Sequence, residues 1–231
     1  MNVMHISSAL KTISLAGALC AAGAASADFN AAQDFSIASN PNGVWRYGWT
    51  QTVGGSFNDS TLSGTDAEGE FWRNGKTNIG YNNSSLTVTG STYSILPGQL
   101  HLHPGQGGEV SVLRFITPAA GQYSLSASFI GLDFGGPTTT DVHVLLNSVS
   151  LFNGAVSAFG SGPTYQNVLS LQAGDQIDFA VGFGSNGNYY SDTTGLTAQI
   201  SAVPEPETLA LLLVGLGCVS FFANRRRSVL S

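Results

Sequence analysis

The sequence has 231 residues, a formal net charge of −6 and only 10% charged residues. Between residues 28 and 202, four basic side chains stand against twelve acidic ones. Such a surface repels phosphate backbones, so the composition excludes nucleic acid as a partner. Both cysteines, Cys20 and Cys218, lie in apolar terminal segments, so disulfides have no part in the central region.

The first 27 residues have the pattern of a secretion signal. Lys11 precedes an apolar stretch over residues 13–24, and Ala25-Ser26-Ala27 is the small-x-small pattern that signal peptidase accepts. We expect signal peptidase to cut after Ala27 and to leave Asp28 as the new N-terminus. The apolar stretch is too short for a stable membrane anchor. It therefore predicts export.

Residues 28–202 predict one all-β domain. Short runs in which apolar and polar residues alternate recur between turn-forming residues; in chain order they cover residues 44–50, 70–73, 85–89, 122–130, 142–146, 177–181 and 196–200. The run 109–116 has apolar residues on both faces around Arg114, which predicts a strand covered on both sides. Strands at this spacing, without an amphipathic helix, predict a two-sheet antiparallel sandwich of jelly-roll type.

Three aromatic rings share one face of the strand predicted over residues 44–50. Trp45, Tyr47 and Trp49 alternate along it. If that face is open, the rings form a platform for sugars; if it faces inward, they are core, where large aromatic side chains are usually found. Both interpretations stay open at this point. Further candidate ligand-binding residues are Trp72, Tyr189 and Tyr190.

Candidate catalytic and metal-binding residues are few. Asp66, Glu68 and Glu70 supply carboxylates of the kind that glycoside hydrolysis uses in pairs, but their Gly- and Asp-rich surroundings predict a solvated loop. No nucleophile elbow or phosphate-binding glycine loop is present in the sequence. We therefore predict a protein that is not an enzyme, with a secreted polysaccharide hydrolase as the alternative.

His101 and His103 are weak candidates for a metal pair. Two residues apart on a strand, they would share one side, although Pro104-Gly105 favours a loop. A third ligand would have to come from His143, Glu109 or a distant aspartate. Calcium is the one other ion considered, through aspartates that we expect near turns, namely Asp133, Asp141, Asp175, Asp178 and Asp192. No further cofactor is predicted.

Residues 203–231 form a second targeting segment. Pro204, Glu205 and Pro206 form an extended linker that blocks helix growth backwards. An apolar stretch over residues 209–223 follows and predicts a transmembrane helix of somewhat marginal length. A cluster of three arginines follows, namely Arg225, Arg226 and Arg227. It should act as a membrane stop and hold this end of the chain on the cytoplasmic side.

This tail resembles the sorting signal of PEP-CTERM proteins, with Pro204-Glu205-Pro206 as its motif. The resemblance implies that an exosortase, a membrane cysteine protease, processes the chain at the motif. It also implies an intermediate in the inner membrane and a final place at the cell surface or in the extracellular matrix. Members of that family come mostly from bacteria that make exopolysaccharide and biofilm. Release and tethering after processing are both left open.

The second half of the domain also resembles, more loosely, the β-sandwich modules of secreted carbohydrate-associated proteins. The matching stretches are residues 103–114, 120–123, 141–144 and 171–175, and most of their residues set the fold. Together the two resemblances imply a surface or matrix protein, not an enzyme, that binds polysaccharide or a surface partner. A purely structural matrix protein is a further alternative beside the hydrolase.

Overall fold

The computed structural model describes residues 27–204 and 211–220. Of the predicted signal segment, only Ala27 falls within the described residues, and Ala25 lies outside them. Sixteen strands occupy residues 28–203, together with one turn of 3-10 helix at Gly184–Asn186. In chain order the strands are β1 (Asp28–Asn30), β2 (Trp45–Thr50), β3 (Asn58–Asp59), β4 (Leu62–Asp66), β5 (Gly69–Arg73), β6 (Asn78–Tyr81), β7 (Val88–Thr89), β8 (Ser94–Ile95), β9 (Leu100–His103), β10 (Val110–Ile116), β11 (Gly121–Gly131), β12 (Thr140–Leu146), β13 (Val149–Val156), β14 (Thr164–Leu171), β15 (Gln176–Gly182) and β16 (Thr194–Val203).

The strands form two antiparallel sheets and a small ribbon. Sheet A runs in the order β14, β11, β16, β9, β6, β5 and β4, and β1 also pairs with β16. Sheet B runs in the order β13, β12, β15, β10, β2 and β3, and β7 pairs with β8 as the ribbon. From β9 onward the chain changes sheet at every step except β12 to β13. This confirms the predicted two-sheet sandwich of jelly-roll type.

The core lies between the sheets and is built by strand alternation. On β11, Tyr123, Leu125 and Phe129 are buried in the core, and the serines between them point outward. The inward residues of β12, β15 and β16 follow the same period of two. The sequence prediction for residues 122–130, 142–146, 177–181 and 196–200 is therefore confirmed.

Strand β10 is covered on both faces, as its apolar residues predict. Leu113 and Phe115 join the main core. Val110 and Val112 face the other way and form a second cluster with Leu145 and Ala180, against which Phe57 packs. The covering loop before β3 therefore buries the outer face of the centre of sheet B.

A buried ion pair lies beside this second cluster. Arg114 donates from Nε to Oδ1 of Asp178 at 2.6 Å and from Nη2 to Oδ2 at 2.8 Å, and its Cζ lies 4.2 Å from the Phe57 ring centroid. The two side chains are only 7% and 4% exposed. Asp178, a calcium candidate expected near a turn, lies within β15 directly opposite Arg114 on β10, so its carboxylate is taken up by this ion pair.

Residues 211–220 form a helix, as predicted for part of the apolar stretch 209–223. Glu205, Pro206 and the predicted membrane-stop arginines lie outside the described residues. Within the part of the chain that the structure describes, no helix combines the length and the apolarity that crossing a membrane requires. The membrane span therefore stays a prediction.

Substituting Asp178→Asn should lower the free energy of unfolding by about 3–5 kcal/mol, because Arg114 is then left buried without its counter-charge. The matched control is Asp59→Asn, which breaks the partly exposed pair with Arg46 and should cost about 1 kcal/mol or less. Denaturant unfolding of the purified variants measures both. Equal losses in the two variants would contradict the assignment of Arg114–Asp178 as a buried, structure-holding pair.

Candidate functional site

The outer face of sheet A carries a concave site that is built around β9. Leu100 and Leu102 point into the core, so the residues that alternate with them, His101 and His103, face outward. In the register of the sheet, His101 lies opposite Gly80 on β6 and Gly195 on β16. A side chain at Gly80 would overlap the His101 ring. Glycine at this position therefore makes room for the imidazole.

The cavity has a volume of about 300 Å³, at the lower end of the range for small-ligand sites. Besides β9, its walls come from the turn before β5, from β5 and β6, from the ribbon and from the segments around residues 133 and 189–193.

Glu68 supplies the ionised group of the site. Its Oε1 accepts a hydrogen bond from the Tyr93 hydroxyl at 2.6 Å, whereas Oε2 lies 3.8 Å from both His101 Nε2 and Arg73 Nη2. The nearby His101 ring, with the Tyr93 hydroxyl and the Arg73 charge, lowers the pKa of Glu68 to about 2 against the effect of burial. Glu68 is thus a carboxylate at any physiological pH. Its Oε2 is left for a ligand donor.

The sequence placed Asp66, Glu68 and Glu70 together in a solvated loop. Asp66 and Glu70 instead lie on β4 and β5, and Glu68 lies in the turn between these strands but is partly buried. Its side chain is only 28% exposed, because the turn before β5 folds over the sheet against Tyr93 and His101. Glu70 lies on the opposite face of β5 and is no part of the cavity wall.

Arg73 lies in the wall of the site, but its charge is already paired. Its Nη2 is 2.7 Å from Asp66 Oδ2, and its Nε donates to Asn78 Oδ1 at 3.0 Å. The guanidinium also stacks on Phe71, with Cζ 3.8 Å from the ring centroid. These contacts fix Arg73 in place and pair its charge with that of Asp66.

The two histidines present unused hydrogen-bonding atoms. His103 Nδ1 lies 2.9 Å from the Pro104 carbonyl oxygen, which can only accept, so Nδ1 carries the proton. Burial lowers the pKa of His103, so the ring is neutral and Nε2 is an acceptor. His101 is 1% exposed, and neither of its ring nitrogens has a hydrogen-bond partner among the described residues. Glu68 Oε2 lies 3.8 Å from Nε2, beyond hydrogen-bond distance, and a buried imidazole without a hydrogen bond is costly until a ligand supplies one.

A second carboxylate in the cavity wall, Asp133, has a structural role. Its Oδ1 accepts from the Thr92 hydroxyl at 3.1 Å and its Oδ2 from the Thr193 amide at 2.6 Å. Asp133 therefore ties the ribbon to the segment before β16. Of the two carboxylates in the cavity wall, Glu68 is the one with an oxygen, Oε2, that can accept a hydrogen bond from a ligand.

Tyr189 and Tyr190 form an aromatic wall at the cavity. Their ring centroids are 4.6 Å apart at an interplanar angle of 34°, and Tyr189 meets the His103 ring edge-on at 5.7 Å. Tyr190 is 65% exposed. The structure thus brings both sequence candidates to the site, beside a histidine that the sequence considered only as a metal ligand.

The aromatic stripe on β2 is core, which decides between the two interpretations of it. Trp45 and Tyr47 are buried, and Trp72 is buried with its ring stacked on Tyr47 at 5.8 Å. Trp49, at the end of the stripe, is half-buried beneath Lys76, whose Nζ lies 5.0 Å from the ring. An open sugar platform at these residues is therefore wrong, because their face of β2 points at sheet A.

The structure does not bring the weak metal candidates together with a third ligand. His143 lies on β12 of sheet B and bonds Asp141 and Asn153, each at 2.7 Å, and Glu109 pairs with Lys76 at 2.8 Å. Among residues 27–204 and 211–220, no group of three or more His, Cys, Asp or Glu side chains could hold a metal ion. Calcium binding by the turn aspartates stays a prediction.

The tail matches the family model of the PEP-CTERM protein-sorting motif over residues 202–227. The chain carries a PEP-CTERM sorting motif. This confirms the resemblance drawn from Pro204-Glu205-Pro206 and the residues after it. A PEP-CTERM motif indicates an exported protein that is sorted through the membrane to the cell surface. No curated protein matches the chain.

Solved structures similar to this chain are distant. A family 35 carbohydrate-binding module from Clostridium thermocellum matches at 12% identity and a TM-score of 0.33, over 54% of this chain and 96% of the module. A family 51 module from Clostridium perfringens, in complex with methyl-galactose, matches at 14% and 0.33, over 60% and 99%. Rabbit GITRL matches at 16% and 0.28, over 41% and 73%. Likenesses this weak carry no argument about a ligand.

Behind the tyrosine wall, Asp192 is fully buried and incompletely bonded. Its Oδ1 accepts from the Thr139 amide at 3.1 Å and the Thr140 hydroxyl at 3.0 Å, while Oδ2 has no partner among the described residues. Burial raises the pKa of Asp192 from 3.8 to about 6. The folded state therefore holds this proton more tightly than the unfolded state, and stability falls as the pH rises from about 4 to about 6.

Substituting Asp192→Asn should raise the melting temperature at pH 7.5 by at least about 2 °C, because it removes a buried charge and keeps the acceptor Oδ1. The gain should vanish near pH 4, where the wild-type carboxyl is protonated. Calorimetry in EDTA measures it without a contribution from bound cations. Asp175→Asn is the control, since hydrogen bonds from Gln172 and Asn147 lower the pKa of Asp175 and its loss should not stabilise. A destabilised Asp192→Asn variant at pH 7.5 would contradict the account.

Proposed function

We propose that this chain is a non-enzymatic protein of the cell surface or extracellular matrix whose β-sandwich binds polysaccharide at the cavity on the outer face of sheet A. The observation that carries the proposal is the cavity itself. It combines a free carboxylate oxygen on Glu68, an acceptor nitrogen on His103, an unpartnered buried imidazole on His101 and the exposed ring of Tyr190.

These groups match the chemistry of a sugar. A pyranose offers several hydroxyl donors around its rim, and its ring faces carry C–H groups that pack on aromatic rings. Glu68, His103 and His101 would take up the hydroxyls, and the wall of Tyr189 and Tyr190 would pack against the ring. The sorting motif supports a polymer outside the cell as the source of the sugar, and exopolysaccharide is the partner that we propose.

Catalysis is the less favoured alternative. Glycoside hydrolysis requires one protonated carboxyl group next to an ionised one. Glu68, with a pKa of about 2, is no proton donor, and both oxygens of Asp133 are held by structural hydrogen bonds. The carboxylates of the cavity wall therefore suit binding of a saccharide but lack the proton donor that hydrolysis requires.

One observation favours a purely structural matrix protein. Trp45 and Tyr47 are buried, so the aromatic stripe that first indicated a ligand belongs to the core. Polysaccharide binding accordingly depends on the cavity alone.

Substituting Tyr189 and Tyr190 by alanine should weaken binding to the producing cell's own exopolysaccharide about fivefold or more, since truncating an aromatic contact costs roughly 1 kcal/mol or more. The control is Val149→Ala, because Val149 on sheet B is 67% exposed and Tyr190 65%. Affinity electrophoresis in gels with and without the polysaccharide measures the change. Absence of binding by the wild-type chain would contradict the proposal and leave the structural role.

A further inference from the structure

We propose that the cavity selects saccharide units that lack acidic groups and that donate a hydroxyl or ammonium hydrogen bond to Oε2 of Glu68. This inference rests on the proposed function and adds the chemical class of the ligand. It follows from the charges and the free hydrogen-bonding atoms of the cavity wall.

The charges of the cavity wall sum to an excess of negative charge. Glu68 and Asp133 contribute carboxylates, and Arg73 is the one guanidinium among the wall residues. Arg73 is already held by Asp66 at 2.7 Å and by Asn78 at 3.0 Å. A uronate, sulfate or phosphate would therefore face Glu68 while the guanidinium of the wall is already paired with Asp66, and like charges at close range in a half-buried site repel strongly.

The free hydrogen-bonding atoms of the cavity wall are acceptors, so they pair with donors on the ligand. Glu68 Oε2 is an acceptor, and His103 Nε2 is an acceptor because Nδ1 uses its proton on the Pro104 carbonyl. Neutral sugars supply hydroxyl donors, and amino sugars supply an ammonium group that also gains from the Glu68 charge. The aromatic rings of Tyr189 and Tyr190 add a favourable surface for a cation.

The test titrates the full chain, purified at pH 7.5 in a detergent without a sugar headgroup, with methyl glycosides of a neutral sugar, its 2-amino derivative and its uronic acid. Both the gluco and the galacto series are used, because the charge argument does not depend on ring stereochemistry. Amide chemical shifts in NMR spectra report binding. We expect the uronide of a series to bind at least tenfold more weakly than the better of its two non-acidic partners.

Two variants connect the selectivity to Glu68. Glu68→Gln keeps the shape but removes the charge, so the gap between uronide and amino sugar should shrink about tenfold. Glu70→Gln is the matched control, because Glu70 lies two residues away on the opposite face of β5 and its loss should leave the gap unchanged. A uronide that binds as tightly as its partners, or a gap that survives Glu68→Gln, would overturn the inference and leave polysaccharide binding intact. Failure of all six glycosides and of the exopolysaccharide would overturn both.

A second inference comes from the tail and is independent of the cavity. The sorting motif begins at residue 202, and the last residues of β16 lie within it. Ala202 pairs with Tyr123 and Val203 with Gln122 on β11. Pro204 is the first residue outside the sheet. No spacer therefore separates the folded sandwich from Pro204-Glu205-Pro206.

We infer that exosortase processing proceeds through opening of the C-terminal end of β16. A protease binds an extended stretch on both sides of the bond that it cuts, and here the upstream side is paired within sheet A. Cleavage of such a segment follows the population of the opened strand end. The stability of the last β16 pairs would thus set the rate of sorting.

Inserting Gly-Ser-Gly-Ser between Val203 and Pro204 should speed processing in the producing cells about threefold or more, because the protease then reaches the motif without opening the strand. The same insertion after Gly174, in the exposed turn before β15, is the control and should leave the rate unchanged. Pulse-chase labelling measures the rates. An unchanged rate for the first insertion, an equal acceleration by both, or a wild-type tail that stays uncut would overturn the inference.

Discussion

The site depends on one steric constraint, the glycine that lies opposite His101 on β6. Gly80 and Gly195 lie opposite His101 on the neighbouring strands, and a side chain at Gly80 would occupy the space of the imidazole. The imidazole can therefore pack over Gly80 on the outer face of sheet A, while the inner face of the sheet packs against the core. Because Leu100 and Leu102 anchor β9 in that core, the position of His101 is as fixed as the core itself.

The sandwich makes the site rigid, and the segments that cover the outer face of sheet A contribute polar side chains to the cavity. The buried Arg114–Asp178 pair and the second cluster hold sheet B. Above sheet A, Tyr93 holds Glu68 and Asp133 ties the ribbon to the segment before β16. These hydrogen bonds occupy some polar atoms of the cavity wall and leave others without a partner in the wall. The free ones, on Glu68, His101 and His103, define what the cavity could bind.

The sequence predicted the fold better than the site, for physical reasons. Period-two alternation identifies strands such as β11 and the two-sided β10, but it says only that Trp45, Tyr47 and Trp49 share a face and not where that face points. The cavity joins distant segments, including Glu68, Tyr93, His101 and Tyr189, through a register that alternation does not encode. Pro104-Gly105 suggested a loop at the histidines, yet β9 ends only at His103. The sorting motif was readable because its information lies in contiguous residues.

The central claim is that the ligand site lies on the outer face of sheet A, and the histidines test it directly. His101 and His103 are in the cavity wall, whereas His143 lies on β12 of sheet B and serves as an internal reference. The measurement is the set of imidazole NMR resonances during titration with oligosaccharides from the producing cell's exopolysaccharide. The account predicts that the His101 and His103 resonances shift with one common affinity while those of His143 stay in place. Binding that moves only His143, or none of the three, would contradict it.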